Sequence, residues 1–248
     1  MKPCFIIGGN PSLIFASLCI FNLITVKLRS AVLIIVAVIL ADQALKVWIK
    51  TSFPFGPVMN IAGLPWAQLY FIENEGMAWG WKFGGEWGKM LLTLFRLVAV
   101  IFGTWYLGRI IKRGYSRGFI ICASLIYAGA LGNLIDSIFY GLIFSESDYN
   151  TVATMFPEKG YAGLLHGKVV DMLYFPMIRS TYPEWVPFVG GHEFEFFSPI
   201  FNIADAAISV GVITLLIFQK RFLQPPHDEE QHKAVETSSG TSDRAQVM

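Results

Sequence analysis

Four stretches of the chain are apolar over the length that a bilayer demands, and this constrains the fold more than any other feature. A helix crosses the hydrocarbon core with roughly 20 mostly apolar residues. Charge interrupts residues 30–49 only at Asp42 and Lys46, 88–108 only at Lys89 and Arg96, 118–138 only at Asp136, and 199–218 only at Asp205. The composition agrees: 15% of the 248 residues are charged and 54% are hydrophobic, where a soluble domain carries about 25% charged residues. The net charge of +1 offers no basic field to nucleic acid, so none is expected as a partner. The fold class implied is an all-α membrane protein: four transmembrane helices, with a small outer-leaflet β-sheet.

The basic residues orient these spans. Lys27 and Arg29 precede the first, Arg109, Lys112, Arg113 and Arg117 fill the link between the second and third, and Lys220 and Arg221 follow the fourth. Cytoplasmic loops carry the excess of Lys and Arg. This predicts a multi-pass protein of the cytoplasmic (inner) membrane with both termini inside and the loops 50–87 and 139–198 outside. Both loops are rich in aromatic residues, as segments at a headgroup interface are.

The chain divides into residues 1–29, an extension or leader-like segment, residues 30–222, the membrane domain, and residues 223–248, a polar tail read as disordered. Residues 11–26 are apolar but short for a span and contain Asn22. In the first outer loop, residues 57–61 and 68–72 are β-prone runs around Gly63-Leu-Pro65, which suggests the small sheet. Cys4, Cys19 and Cys122 form no CxxC pair, and His166, His192, His227 and His232 have no HExxH spacing, so neither a disulfide framework nor a metal is expected. No cofactor is called for.

The few polar residues inside apolar sequence carry the functional signal. Asp42, Asp136, Asp171 and Asp205 all fall toward the outer side under this orientation, Asp136 at the last turn of its span and Asp171 in the outer loop. An ionisable side chain in a span is costly and marks function by default. Asn133 and Asn202 each precede an Asp by three residues, a spacing that places each pair on one helical face. Two neighbouring carboxylates cannot both ionise cheaply, so they share a proton. The ionised one can deprotonate water while the protonated one polarises a carbonyl. Each acid alone has a plainer reading: Asp205 as a helix cap, Asp42 with Lys46 as an ion pair, Asp136 as the end of a helix. A cation or proton site in a small polytopic transporter is the alternative for the group.

The pattern resembles the lipoprotein signal peptidases, or signal peptidase II, which are bacterial membrane aspartyl endopeptidases. Five boxes carry the resemblance, in the family's order: Asp42-Gln-x-x-Lys46, Asn74-x-Gly-x-Ala-Trp79, Gly129-Ala-Leu-Gly-Asn133-x-x-Asp136, Val169-Val-Asp171 and Phe201-Asn-x-Ala-Asp205. The resemblance implies removal of signal peptides from prolipoproteins at the residue before a diacylglyceryl-modified cysteine. It implies Asp171 and Asp205 as the catalytic pair; the fallback is Asp136 with Asp205, because Asp136 also sits at the outer end of a span. Asn133, Asp136, Asn202 and Ala204 would support the pair, and Asp42 and Lys46 would brace the first helix. Asn74, Gly76, Gly129 and Gly132 would contact substrate or inhibitor. The implied partners are diacylglyceryl prolipoproteins, membrane lipid and the inhibitor globomycin, and the enzyme is expected to act as a monomer.

Three departures from the family pattern stand out. Ser137 occupies the place where the family usually has Arg, directly after Asp136; Arg96, mid-span, could supply that charge, its plain alternative being a snorkelling side chain. The gaps between Asp136 and Asp171 (34 residues) and between Asp171 and Asp205 (33 residues) are long. Their inserts, 141–167 and 179–196, read most simply as surface loops, or else as a lid or a contact for the substrate's mature domain. The N-terminal extension and the tail lie outside the family core.

Overall fold

The computed structural model describes residues 11–74, 85–176, 178–196 and 199–222. Gly76 and the tail lie outside the described residues, as do the first ten positions. Four helices dominate: α1 (Pro11–Ser52), α2 (Gly85–Lys112), α3 (Arg117–Ile143) and α4 (Ile203–Phe222). Each contains a segment long and apolar enough to cross a membrane: Ile24–Ser52, Trp87–Lys112, Arg117–Ile143 and Ile203–Phe222.

Two boundaries differ from the sequence expectation. The leader-like segment is not separated from the first span, since α1 runs without a break through its 42 residues, about 63 Å at 1.5 Å per residue. Nothing between residues 11 and 52 is a helix breaker except Pro11, which is tolerated in a first turn. Asp136 does not lie at the last turn of its span either. α3 continues for seven residues beyond it, to Ile143, because Ile138, Phe139 and Tyr140 extend the apolar run.

α3 is the central helix. Half of its spanning window is buried within the protein, against 11% for α1 and 17% for α2 and α4. Small residues permit this: a Cβ at Gly129 would run into the carbonyl oxygen of Ala204, and one at Gly211 would lie 2.9 Å from the carbonyl oxygen of Cys122. The α2–α3 link turns on Gly114 at φ +76°, the left-handed conformation that commonly ends a helix. Ser116 then caps α3, its hydroxyl accepting from the Phe119 amide.

Among the described residues, six strands complete the fold. β1 (Gly56–Asn60), β2 (Gln68–Asn74), β3 (Val169–Tyr174) and β6 (Ile200–Phe201) form one antiparallel sheet in the order β1-β2-β3-β6. β4 (Ile178–Thr181) and β5 (Glu193–Phe196) pair separately as a hairpin within the second insert. The stretch around Asp171 is therefore a central strand, not a loop. Its near-continuous apolar sequence, Val-Val-Asp-Met-Leu-Tyr, matches a strand covered on both faces. Val170 and Met172 point into a core with Ile49, Phe71, Tyr140 and Phe144. Alternation sends Asp171 to the opposite face. A second apolar cluster, with Ala31, Leu107, Ile110 and Phe119, holds the far end of the bundle.

The first insert is not a loose surface loop. It runs back along the end of α3, where the amides of Tyr161, Ala162, Leu165 and Gly167 donate to the carbonyls of Phe144, Gly141, Ile138 and Ser137. The Gly141 carbonyl, in the last turn of α3, thereby gains a partner it would otherwise lack. Phe144 and Ala153 from this stretch belong to the core beneath the sheet.

Candidate active site

Lys46 is the hub on which the site is built. It has no exposed surface, and its ammonium contacts Asp42 Oδ2 at 2.8 Å, Asp136 Oδ2 at 2.7 Å and Asn133 Oδ1 at 3.0 Å. Three donors thus meet three acceptors. Asp42 and Lys46 do form the i,i+4 ion pair, but they brace more than the first helix. Asp42 Oδ1 accepts from the Ala204 amide at 2.9 Å, in the first turn of α4, where an anion is favoured. Lys46 reaches α3 through Asn133 and Asp136.

Asp136 is fully buried. It accepts from Gln43 Nε2 at 2.8 Å and from the Val170 amide at 3.4 Å, and Tyr140 donates to Gln43 Oε1 at 3.1 Å. Asp136 therefore ties α1 and α3 to β3 and is spent on Lys46, which argues against the fallback pairing with Asp205.

The two asparagines connect this base to Asp171 and Asp205. Asn133 Nδ2 donates to Asp205 Oδ1 at 2.7 Å. Asn202 lies just outside α4 and is its N-cap: Oδ1 accepts from the Asp205 amide at 2.9 Å. The expected shared helical face for Asn202 and Asp205 is thus replaced by a cap, which frees the Asn202 Nδ2 to donate to Asp171 Oδ1 at 2.7 Å. Its other contacts are Asn133 Oδ1 at 3.2 Å and the Val170 carbonyl at 3.4 Å. Asn74, the last residue of β2, donates to Asp171 Oδ2 at 3.3 Å; β2 pairs with β3 so that Asn74 lies opposite Val169.

The two acids sit in different surroundings. Asp171 is 2% exposed, whereas Asp205 is only half-buried. Burial first, and the charge of Asp205 second, push the Asp171 carboxyl up to about 7 from its usual range, against the pull of Asn74, Asn202 and Lys46. One carboxyl that holds its proton near neutrality, with a less buried carboxyl near it, is an arrangement that can carry out acid–base hydrolysis.

Gly129 and Gly132 serve packing. Both are buried, and a Cβ at Gly132 would stand 3.1 Å from Asp42 Oδ2 and 3.3 Å from the Ala204 Cβ. Their place is the seam between α3 and α4, not a surface that could meet substrate. Ala204, buried at the same seam, is small for the same reason. Among the described residues, no group of three or more His, Cys, Asp and Glu side chains is placed to hold a metal ion.

Sequence reasoning missed a second buried cluster beside the first. Lys50, also without exposed surface, pairs with Glu73, donates to Ser147 Oγ at 2.9 Å and lies 5.0 Å from the Tyr161 ring centre. Lys168 approaches the other Glu73 oxygen at 3.7 Å. The signal was present: Asp42, Lys46 and Lys50 recur every four residues on one face of α1.

The family model described as signal peptidase (SPase) II matches residues 34–221. The chain belongs to the signal peptidase II family. A lipoprotein signal peptidase of Porphyromonas gingivalis is 47% identical over 76% of this chain and 81% of its own length. That of Amoebophilus asiaticus is 34% identical over 76% of each chain. Among solved structures, a bacterial membrane enzyme determined by the in meso method at 1.9 Å is 25% identical, covering 76% of this chain and 91% of its own with a TM-score of 0.48. With its four spanning-length helices, this family member is a multi-pass bacterial membrane protease of the signal peptidase II type. The transporter alternative finds no support in these matches.

Proposed function

We propose that this signal peptidase II family member is an aspartic endopeptidase that removes signal peptides from prolipoproteins just before a diacylglyceryl-modified cysteine, with Asp171 and Asp205 as the catalytic pair. The observation that carries the reading is the double duty of Asn202, whose amide group donates to Asp171 while its oxygen caps the turn that presents Asp205. One side chain thereby sets both carboxyl groups. Water bound between them loses a proton to the ionised acid as its oxygen attacks the scissile carbonyl. The protonated acid donates to the carbonyl oxygen, and a proton then passes to the leaving amine.

The remaining features follow from this reading. The cleft lies at the outer face of the inner membrane, with both termini cytoplasmic, so that the substrate's signal segment enters from the bilayer and its diacylglyceryl group stays in lipid. Basic residues at the α2–α3 link and after α4 support that orientation. The enzyme works as a monomer, and globomycin competes for the same cleft.

The test is cleavage of a lipidated precursor by purified protein. Asp171→Asn and Asp205→Asn should each insert normally and lower the rate by about a thousandfold or more. Full activity in either variant would refute the assignment.

A further inference from the structure

The first insert packs on α3 as membrane segments pack on one another. Its return leg runs back along the last turns of the helix. The Phe156 amide donates to the Ile143 carbonyl at 2.7 Å, that of Leu165 to Ile138 at 3.2 Å and that of Gly167 to Ser137 at 2.9 Å. The two backbones touch: a Cβ at Gly160 would run into the Gly141 carbonyl oxygen, and one at Gly167 into that of Asp136. Small residues that let backbones meet are how segments associate in lipid, where burying apolar surface gives no drive. Phe156 and Leu165 hold their contacts at φ +56° and +68°, a conformation that side chains rarely adopt.

The leg also lies at the depth of the spans. Leu165 stands between two helices, its amide bonded to Ile138 on α3 and its carbonyl accepting from Thr93 Oγ1 on α2 at 3.0 Å. Thr93 is six residues inward of Trp87, where the spanning segment of α2 begins, and Ile138 is five residues inward of Ile143, where that of α3 ends. At 1.5 Å per residue these depths are about 9 Å and about 7.5 Å. Irregular backbone at such depth is tolerated only where protein satisfies it. Here the Leu164 carbonyl pairs with His166 Nδ1 at 2.8 Å, and the His166 amide donates to the Gly163 carbonyl at 3.2 Å. The leg ends on Ser137, whose hydroxyl accepts from Arg96 Nη1 at 2.8 Å. That mid-span arginine is thus turned into the protein and does not snorkel.

What the leg leaves uncovered is apolar. Phe156 is 74% exposed and Leu164 53%, and Phe139 and Leu142 on α3 are 44% and 49% exposed. The insert therefore carries on the uncovered apolar surface of a spanning helix. Its charged residues, Glu146, Asp148, Glu158 and Lys159, all precede Gly160, and residues 160–167 contain no Asp, Glu, Lys or Arg. We propose that the return leg of the first insert, residues 155–167, is a membrane-inserted segment whose partner is the lipid of the leaflet at this end of the bundle. Leu164 lies among the acyl chains. Phe156, beside Glu158 and Lys159, sits at the headgroup boundary, where aromatic rings are favoured.

The experiment places the full chain in phosphatidylcholine nanodiscs, where aqueous quencher reaches both faces. An environment-sensitive fluorophore is attached to Phe156→Cys, Leu164→Cys or Asn150→Cys, and labelled wild type gives the background from Cys4, Cys19 and Cys122. Asn150, exposed in the polar half of the insert, is the aqueous reference. Each label is read against a nitroxide carried high on the lipid acyl chain and against iodide. The nitroxide lipid should quench the labels at 156 and 164 but not at 150. Iodide should quench the label at 164 at least about fivefold less than the one at 150, because hydrocarbon excludes it. Equal iodide quenching at 164 and 150 overturns the inference. Protection from iodide without quenching by the nitroxide lipid overturns it too, since protein, such as a second copy of the chain, would then cover this face. If labelled Leu164→Cys does not fold, Leu164→Trp takes its place, read as the quenching by brominated lipid in excess of wild type; no excess counts against the inference in the same way.

Discussion

Lys46 and Lys50 are neighbours on one face of α1, both fully buried, yet their clusters do different work. Lys50 and Lys168 surround a single carboxylate, Glu73, and aromatic rings cover the ammonium groups. The Glu73 carboxylate lies between two cations, and the cluster joins α1, the sheet and the first insert. Lys46 instead faces two carboxylates, Asp42 and Asp136, and is linked through Asn133 to Asp205. On the proposed assignment, that excess of acid leaves one proton shared by the pair. The Lys50 cluster joins structural elements, whereas the Lys46 cluster sets an excess of acid beside the proposed catalytic pair.

The largest expected effect comes from the hub. Lys46→Met strands Asp42 and Asp136 in a dry interior, and the loss should be about 3–5 kcal/mol. Thermal unfolding in detergent should show it, together with loss of cleavage, because Asn133 and the first turn of α4 lose their support. If the variant folds as well as wild type, the hub is not structural.

The second cluster should behave differently. Lys50→Met alone leaves Glu73 partly unanswered and destabilises by a similar amount. Lys50→Met/Glu73→Leu replaces the pair with apolar bulk and should return to within about 2 kcal/mol of wild type. Its cleavage rate per folded molecule should be unchanged. A collapse of activity in that folded double variant would erase the distinction between the clusters.

A pH series sharpens the comparison from the acid side. The Asp171 carboxyl is raised in the folded protein, from 3.8 to about 7, so the folded state keeps a proton that the unfolded chain releases. Wild type should therefore lose stability relative to Asp171→Asn as pH rises from about 4 to about 7, and the gap should stay flat above, with a ceiling of roughly 4 kcal/mol. A constant difference across the range would mean that Asp171 is not held protonated. The smallest effect is expected from Asn74→Ala, which removes one hydrogen bond to Asp171. Its cost is about 1 kcal/mol, or about fivefold in cleavage rate. Because that bond favours the ionised form of Asp171, the alkaline limb of the activity profile should move up, not down.

Much of this was legible in the residues. The β-prone runs flanking Gly63 became β1 and β2, close to their expected limits. Asp42 and Lys46 paired as their spacing implied. Other features were invisible for a physical reason. Residues 169–174 read as loop because their strand partners, β2 and β6, are far away in sequence. Asn202 read as a helical neighbour of Asp205 because spacing alone does not distinguish a cap from a first turn. The first insert read as surface because its polar residues hid its backbone hydrogen bonds to α3.

Spanning segments could be read directly because transfer into a bilayer is nearly a sum over contiguous side chains, so a window of one-dimensional sequence contains the whole energy. The same holds for the basic residues that flank them. The proton sharing proposed for Asp171 and Asp205 has no such local origin. It depends on distances among side chains separated by tens of residues, and on how dry the space between them is. Packing α3 against α4 through Gly129 and Ala204, and laying β3 across their ends, set those quantities.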